Sequence, residues 1–209
     1  MYSTSFLVLL SCGRTKNEDN VGVDSIITEE VKAINKDHSD QDKVIADLKF
    51  FISKHDFENN SEKYLKDIKD KRLSNYNIGR YTAMAYPKAG YENDSLYYVE
   101  FRGQPYDFSK YDSDTREQYL SLIDLYKSTY GEPDYMVGSM PSSYSIGTGA
   151  SQELARWDLG KRSISIRISE WNGFHCINLT IYRNDIMERI TKRKSEEYKT
   201  KQESASSLI

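Results

Sequence analysis

Apolar and polar residues alternate most sharply between Ala155 and Tyr182, in the stretch ARWDLGKRSISIRISEWNGFHCINLTIY. Ile164, Ile166 and Ile168 stand two apart, as do Ile177, Leu179 and Ile181. Between the two runs lies Asn172-Gly173, a pair that tolerates the positive φ values of a two-residue hairpin turn. Counting outward from that turn predicts Trp171 opposite Phe174, Ile168 opposite Ile177, Ile166 opposite Leu179 and Ile164 opposite Ile181. One register thus pairs every branched apolar residue with another. Gly160-Lys161 predicts a second tight turn, which sets Trp157 opposite Ile164 and Ala155 opposite Ile166. The resulting three-stranded meander has one apolar face that must be covered. Its other face carries Arg156, Ser163, Ser165, Arg167, Asn178, Thr180 and Tyr182 and is left for water or for contact.

A different period governs residues 114–130, where Tyr119, Leu122, Ile123, Tyr126 and Tyr130 recur three and four apart on one helix face. Asp114 and Glu117 read as a capping pair, Gly131 supplies a C-terminal cap and Pro133 forbids continuation, so the helix is predicted to end at Tyr130. This helix is the natural cover for the meander. An earlier helix is predicted from the cap chemistry of Asn59-Asn60-Ser61-Glu62 and the stripe Tyr64, Leu65 and Ile68. Strands over 78–86 and 96–102 follow it, joined through Pro87-Lys88-Ala89-Gly90. Residues 44–52 fit either a helix or a buried strand. Past Asn184 a charged amphipathic helix holds Ile186 and Ile190 and gives way to a frayed tail over 196–209. These elements predict an α+β domain over residues 44–195: an antiparallel sheet with helices on one face, built as two helix-then-hairpin units.

Composition narrows the class of function. The 209 residues hold 29 Lys and Arg against 32 Asp and Glu, a net charge of -3, and mean hydropathy is -0.72. No global field exists to concentrate the chain on nucleic acid, which is not expected as a partner. Tyrosine outnumbers phenylalanine, 17 to 7, giving large contact area with polar tips. With only Cys12 and Cys176 available, no disulfide framework is predicted.

Residues 5–12 read SFLVLLSC. The apolar run Phe6–Leu10 ends in Leu9-Leu10-Ser11-Cys12, which resembles the signal box of bacterial lipoproteins, in which the cysteine becomes the lipidated first residue of the mature chain. No Lys or Arg precedes the run and it is short, which reads as a start codon set inside a longer signal. The resemblance implies residues 1–11 as a truncated signal, Cys12 as the lipidation site, residues 12–43 as a polar tether, and a lipid-anchored place in a bacterial cell envelope. Attachment through two or more acyl chains is effectively permanent. The order of elements is also similar to small modules of envelope lipoproteins and beta-lactamase-inhibitor-like proteins, a likeness that transfers no binding residue.

Candidate chemistry is sparse. His38, His55 and His175 are scattered, and His175 and Cys176, adjacent in a strand, point to opposite faces, so no metal site is predicted. Gly160-Lys161 lacks the first glycine and the hydroxyl of a phosphate loop, and Gly147 and Gly149 lack a third glycine. No GxSxG elbow occurs. No cofactor and no catalytic residue is assigned. What remains is a contact surface at the end of the meander, with Trp171, Phe174, Tyr182 and Arg167 as its candidate residues and an envelope protein, a peptide or a glycan as its partner. The leading expectation is a non-catalytic binding or assembly module. An envelope hydrolase with a carboxylate pair unseen in the sequence, and a soluble cytoplasmic interaction protein, stand as alternatives.

Overall fold

In the computed structural model the described residues are 40–84 and 86–206, so Cys12 and the expected signal, along with most of the expected tether, lie outside them. Chain order runs β1 (Lys43–Ile45), β2 (Leu48–Lys49), α1 (Lys54–Tyr64), β3 (Tyr76–Ile78), β4 (Tyr81–Ala83), β5 (Lys88–Glu92), β6 (Ser95–Arg102), α2 (Arg116–Tyr130), β7 (Tyr135–Met136), β8 (Ser151–Leu159), β9 (Arg162–Trp171), β10 (Phe174–Arg183) and α3 (Asn184–Ser206). Six strands form one antiparallel sheet in the order β5-β6-β10-β9-β8-β7, and β1-β2 and β3-β4 are separate two-stranded hairpins. The fold is α+β, as the patterning predicts. No helix among the described residues is long and apolar enough to cross a membrane.

The meander has the predicted register residue for residue. Trp171 pairs with Phe174, Ile168 with Ile177, Ile166 with Leu179 and Ile164 with Ile181, and on the other side Trp157 pairs with Ile164 and Ala155 with Ile166. Asn172 and Gly173 turn the hairpin at φ 51 and 82. A bulge between Glu153 and Ala155 adds one residue to β8, so Leu154 and Ala155 are both buried. Beyond the meander, β6 joins the free side of β10 with Phe101 opposite Leu179 and Val99 opposite Ile181, which extends the apolar face.

That face is covered as expected by α2, which ends at Tyr130 against Gly131. Leu122, Ile123 and Tyr126 are buried, the Tyr126 ring lies 5.6 Å from that of Trp157, and Trp157 Nε1 donates to the Gly131 carbonyl at 2.9 Å. The β3-β4 hairpin covers the β6 side. The Tyr81 hydroxyl sits between the carbonyls of Phe101 at 2.9 Å and Ile177 at 2.7 Å, and Tyr76 meets Phe101 edge to face. Gly103 is required where this cover closes: a Cβ there would stand 2.4 Å from Gln118 Oε1 and 2.7 Å from the Ile177 carbonyl. Phe57 of α1 joins the same core.

Local expectations fail mainly in the first half. Residues 44–52 are neither a helix nor one strand, because Ala46 at φ 50 folds them back as the β1-β2 hairpin. The first helix starts earlier than its predicted cap. Ser53 is the cap, its hydroxyl accepting from Asp56 N, and Asn59 to Glu62 lie inside the helix. The single strand expected over 78–86 is not one strand: Ile78 ends β3, Gly79 at φ 61 turns the chain, and β4 covers only Tyr81–Ala83, while residues 88–90 are not a connection but part of β5. The true turn is Asn93-Asp94, both at positive φ. Asp114 and Glu117 do not cap α2: a π-type turn over Tyr111–Thr115 leads into it and Asp114 accepts from Ser113 Oγ instead. Finally, α3 runs on to Ser206 through much of the expected tail.

Candidate functional site

Strand alternation that buries the isoleucines pushes a second set of side chains to the opposite face of the sheet. By register, Tyr98, Glu100 and Arg102 of β6 stand beside Cys176, Asn178, Thr180 and Tyr182 of β10. Ser163, Ser165, Arg167, Ser169 and Trp171 of β9 follow, then Ser151, Glu153, Arg156 and Asp158 of β8. The sequence marks this face as wet, yet Ser163, Ser165, Asn178 and Thr180 are buried. Long neighbours cover them: short hydroxyls on a pleated sheet sit below the arginine and tyrosine side chains that flank them.

Those arginines are held in place. Arg156 donates to Glu153 at 2.9 Å and to both oxygens of Asp158 at 3.1 and 3.2 Å. Ser165 donates to Glu153 and Ser163 to Asp158, each at 2.6 Å. Arg167 reaches Ser151 Oγ at 3.2 Å and lies 3.8 Å from Glu153. Arg102 lies 3.8 Å from Glu100, which also accepts from the Tyr98 hydroxyl at 2.5 Å. Burial, and then that bond to Glu100, hold the Tyr98 hydroxyl protonated far above the usual tyrosine range. Asn178 Nδ2 donates to Ser169 Oγ at 2.9 Å, and Ser169 bonds Ser151 at 3.0 Å. Glu100, Glu153 and Asp158 thus each meet an arginine, and the patch is charge-balanced within itself, with Lys88 added at the β5 edge.

The two ends of this face differ. At the hairpin tip Trp171 is 66% exposed and its cross-strand partner Phe174 is 43% exposed. At the other end α3 leaves β10, seated by buried Ile186 and Ile190 and by Arg189 and Arg193 on Glu92. Its Met187, Glu188, Thr191 and Lys192 face Arg156, Asp158 and Tyr182 across a recess of about 570 Å³. Between recess and tip the ten residues of β9 span roughly 33 Å. The face is a shallow trough with a helical wall at one end and an aromatic ledge at the other.

All four residues predicted for the contact surface lie on this face, but they are not one cluster. Trp171 and Phe174 form the tip, Arg167 the middle, and Tyr182 the wall end. The C-terminal helix does not cover the tip: Trp171 and Phe174 are exposed, and so is every α3 side chain from Thr191 to Glu203. Sequence reasoning missed Glu153 and Asp158, the partners that fix Arg156, and the β6 contribution of Tyr98, Glu100 and Arg102. A signal was present for the first pair, since Glu153, Arg156 and Asp158 fall within six residues. Nothing local reveals that β6 pairs with β10 across that distance.

Comparison with protein-family models, with curated proteins and with solved structures found no match.

Elsewhere, a cleft of about 320 Å³ beside α2 gathers Arg80, Gln104, Tyr106, Asp114 and Glu117. Its lining is mixed, with Arg80 and Gln104 exposed and Gln118 and Ser121 buried, and Asp114 is bonded to Ser113. On the trough, Glu153 and Asp158 share one guanidinium, an arrangement of paired charge rather than of acid facing base across an open gap. Among the described residues no three His, Cys, Asp or Glu side chains stand together as a metal site. His175 is buried edge-on to Tyr111 on the apolar side, and Cys176 lies on the trough side with its thiol pushed up to about 11 by burial.

Proposed function

We propose that this chain is a contact module of a bacterial envelope, tethered to the membrane through Cys12 and binding its partner on the trough without catalysis. The observation that carries the reading is the trough itself: a polar sheet face with fixed arginines and hydroxyls that ends in two exposed aromatic rings. Groups held by second partners lose little freedom when a ligand arrives, which favours affinity. The tether rests on the resemblance of Leu9-Leu10-Ser11-Cys12 to a lipoprotein box.

Each half has its own test. Cells expressing the chain and fed radiolabelled palmitate should label the wild type and not Cys12→Ala; equal labelling of the two overturns the anchor. For the trough, a photo-crosslinking residue placed at Arg167 should trap a ligand in living cells, while the same residue at Leu120, exposed on α2, should not. Indistinguishable adducts from both positions sink the contact reading.

A further inference from the structure

We infer that the trough takes an uncharged oligosaccharide, its ring stacked on Trp171 and its hydroxyls read by the Ser151, Ser169 and Arg167 side chains behind it. This rests on the contact-module reading and names the ligand class.

Charge speaks first. Glu100, Glu153 and Asp158 already meet Arg102, Arg156 and Arg167, and Glu188 and Lys192 stand together on the α3 wall. A ligand rich in carboxylate, sulfate or phosphate would have to compete with internal carboxylates for every guanidinium. A cationic ligand would meet the mirror problem. Neither finds the single-signed field that recognition of a polyion uses.

Of the trough floor, β6, β10 and β9 lie between neighbouring strands, and β8 is paired on its outer side with the short β7 at Ala155 and Arg156, which leaves Ser151–Glu153 as a three-residue outer edge. An extended peptide gains most of its affinity by adding to a free sheet edge, and the floor offers only that short one at its rim. Recognition across the floor runs through side chains.

The side chains present suit a sugar. Trp171 exposes two thirds of its surface, with Phe174 directly opposite, and the apolar C–H face of a pyranose ring is the ligand surface that packs flat on such a ledge. Immediately behind the ledge on the same face come Ser169, Ser151, Asn178 and Arg167, already bonded into one chain. Hydroxyls retain spare donor or acceptor capacity after one bond, so Ser151 and Ser169 can bond a sugar hydroxyl without breaking the network, with buried Asn178 holding Ser169 from below. The run of roughly 33 Å from ledge to wall accommodates a chain of several sugars rather than one.

Calorimetric titration of the full chain tests this. The probes are cellohexaose, maltohexaose, xylohexaose and chitohexaose, with hexagalacturonate and a heparin hexasaccharide as charged arms and a polar extended peptide as a third. At least one neutral probe should bind, with an affinity unchanged between about 50 and 500 mM salt. Trp171→Ala should weaken it about tenfold or more, and Tyr144→Ala, an exposed ring off the trough, should not. Circular dichroism identical to wild type keeps a folding defect in Trp171→Ala from imitating that loss, and Arg167→Gln gives an independent second loss. Binding only by a charged probe, falling with salt, overturns the inference, as does neutral binding indifferent to Trp171→Ala. Silence from every neutral probe while the Arg167 crosslink captures a polypeptide removes the glycan and leaves the contact module standing. Silence in both removes both.

Discussion

Glu170 shows how one carboxylate shapes the trough's aromatic end. It is buried, and its two oxygens accept the backbone N–H groups of Gly149 and Gly173, each at 2.6 Å, tying the loop before β8 to the hairpin that presents Trp171. Those bonds, Gly173 first and Gly149 second, hold its carboxyl below the usual glutamate range. A depressed folded-state pKa contributes stability that is present above the ordinary value near 4.3 and is lost as pH falls through the folded value. Glu170→Gln is therefore expected to lower the urea midpoint at neutral pH. The gap from wild type should narrow on acidification and close once the wild-type carboxyl is protonated; a gap independent of pH overturns the assignment. None of this was legible in the sequence. Glu170 continues the apolar side of β9, where a charge reads as an error until the two amides that satisfy it are known.

At the level of elements, the meander and α2 were readable because each repeats one rule many times. Every isoleucine of β9 votes for the same register, and Asn172-Gly173 fixes where counting begins. The β9 and β10 part of the trough was legible for the same reason, being the other half of that alternation, whereas its β6 residues and the acids Glu153 and Asp158 were not. The first half of the chain gave few such votes. Only Phe57 of α1 is buried, so the helix has no stripe, and its true start, Ser53 with Asp56 three residues on, was outshone by the richer Asn59 to Glu62. Pro87 drew the turn to itself, although Asn93-Asp94 was the better pair for two positive φ values. Joining α2 to the sheet depends on Trp157, which is wholly buried and bonded to the helix cap. Trp157→Ala should cost about 3–5 kcal/mol in urea unfolding, by the cavity and the stranded Gly131 carbonyl together. Trp157→Phe should cost less, and an alanine variant as stable as wild type would mean that α2 is held by other contacts.

Across the whole domain, the start of the described chain is fastened to the end of β10 and the root of α3. Asp42 and Asp185 bind the buried Arg183 at 2.7 and 2.9 Å, and its guanidinium lies 4.8 Å from the Phe51 ring centre. Arg162 reaches the Lys43 carbonyl at 2.7 Å. That fastening uses only the first turns of α3. Every side chain from Thr191 to Glu203 is exposed, so ending the chain after Ser195 should change unfolding free energy by less than about 0.5 kcal/mol. A larger loss would show that the outer helix has a partner in the folded chain.

The strand order carries a consequence for how the protein is made. Among the described residues β10, translated last of the strands, lies between β6 and β9 and is the only link between the β5-β6 pair and the β7-β8-β9 group within the sheet. Until the ribosome releases that segment, two half-sheets wait with raw edges. Whatever escorts the newborn polypeptide meets it slack to the end, and one closing strand then sets the whole slab at once.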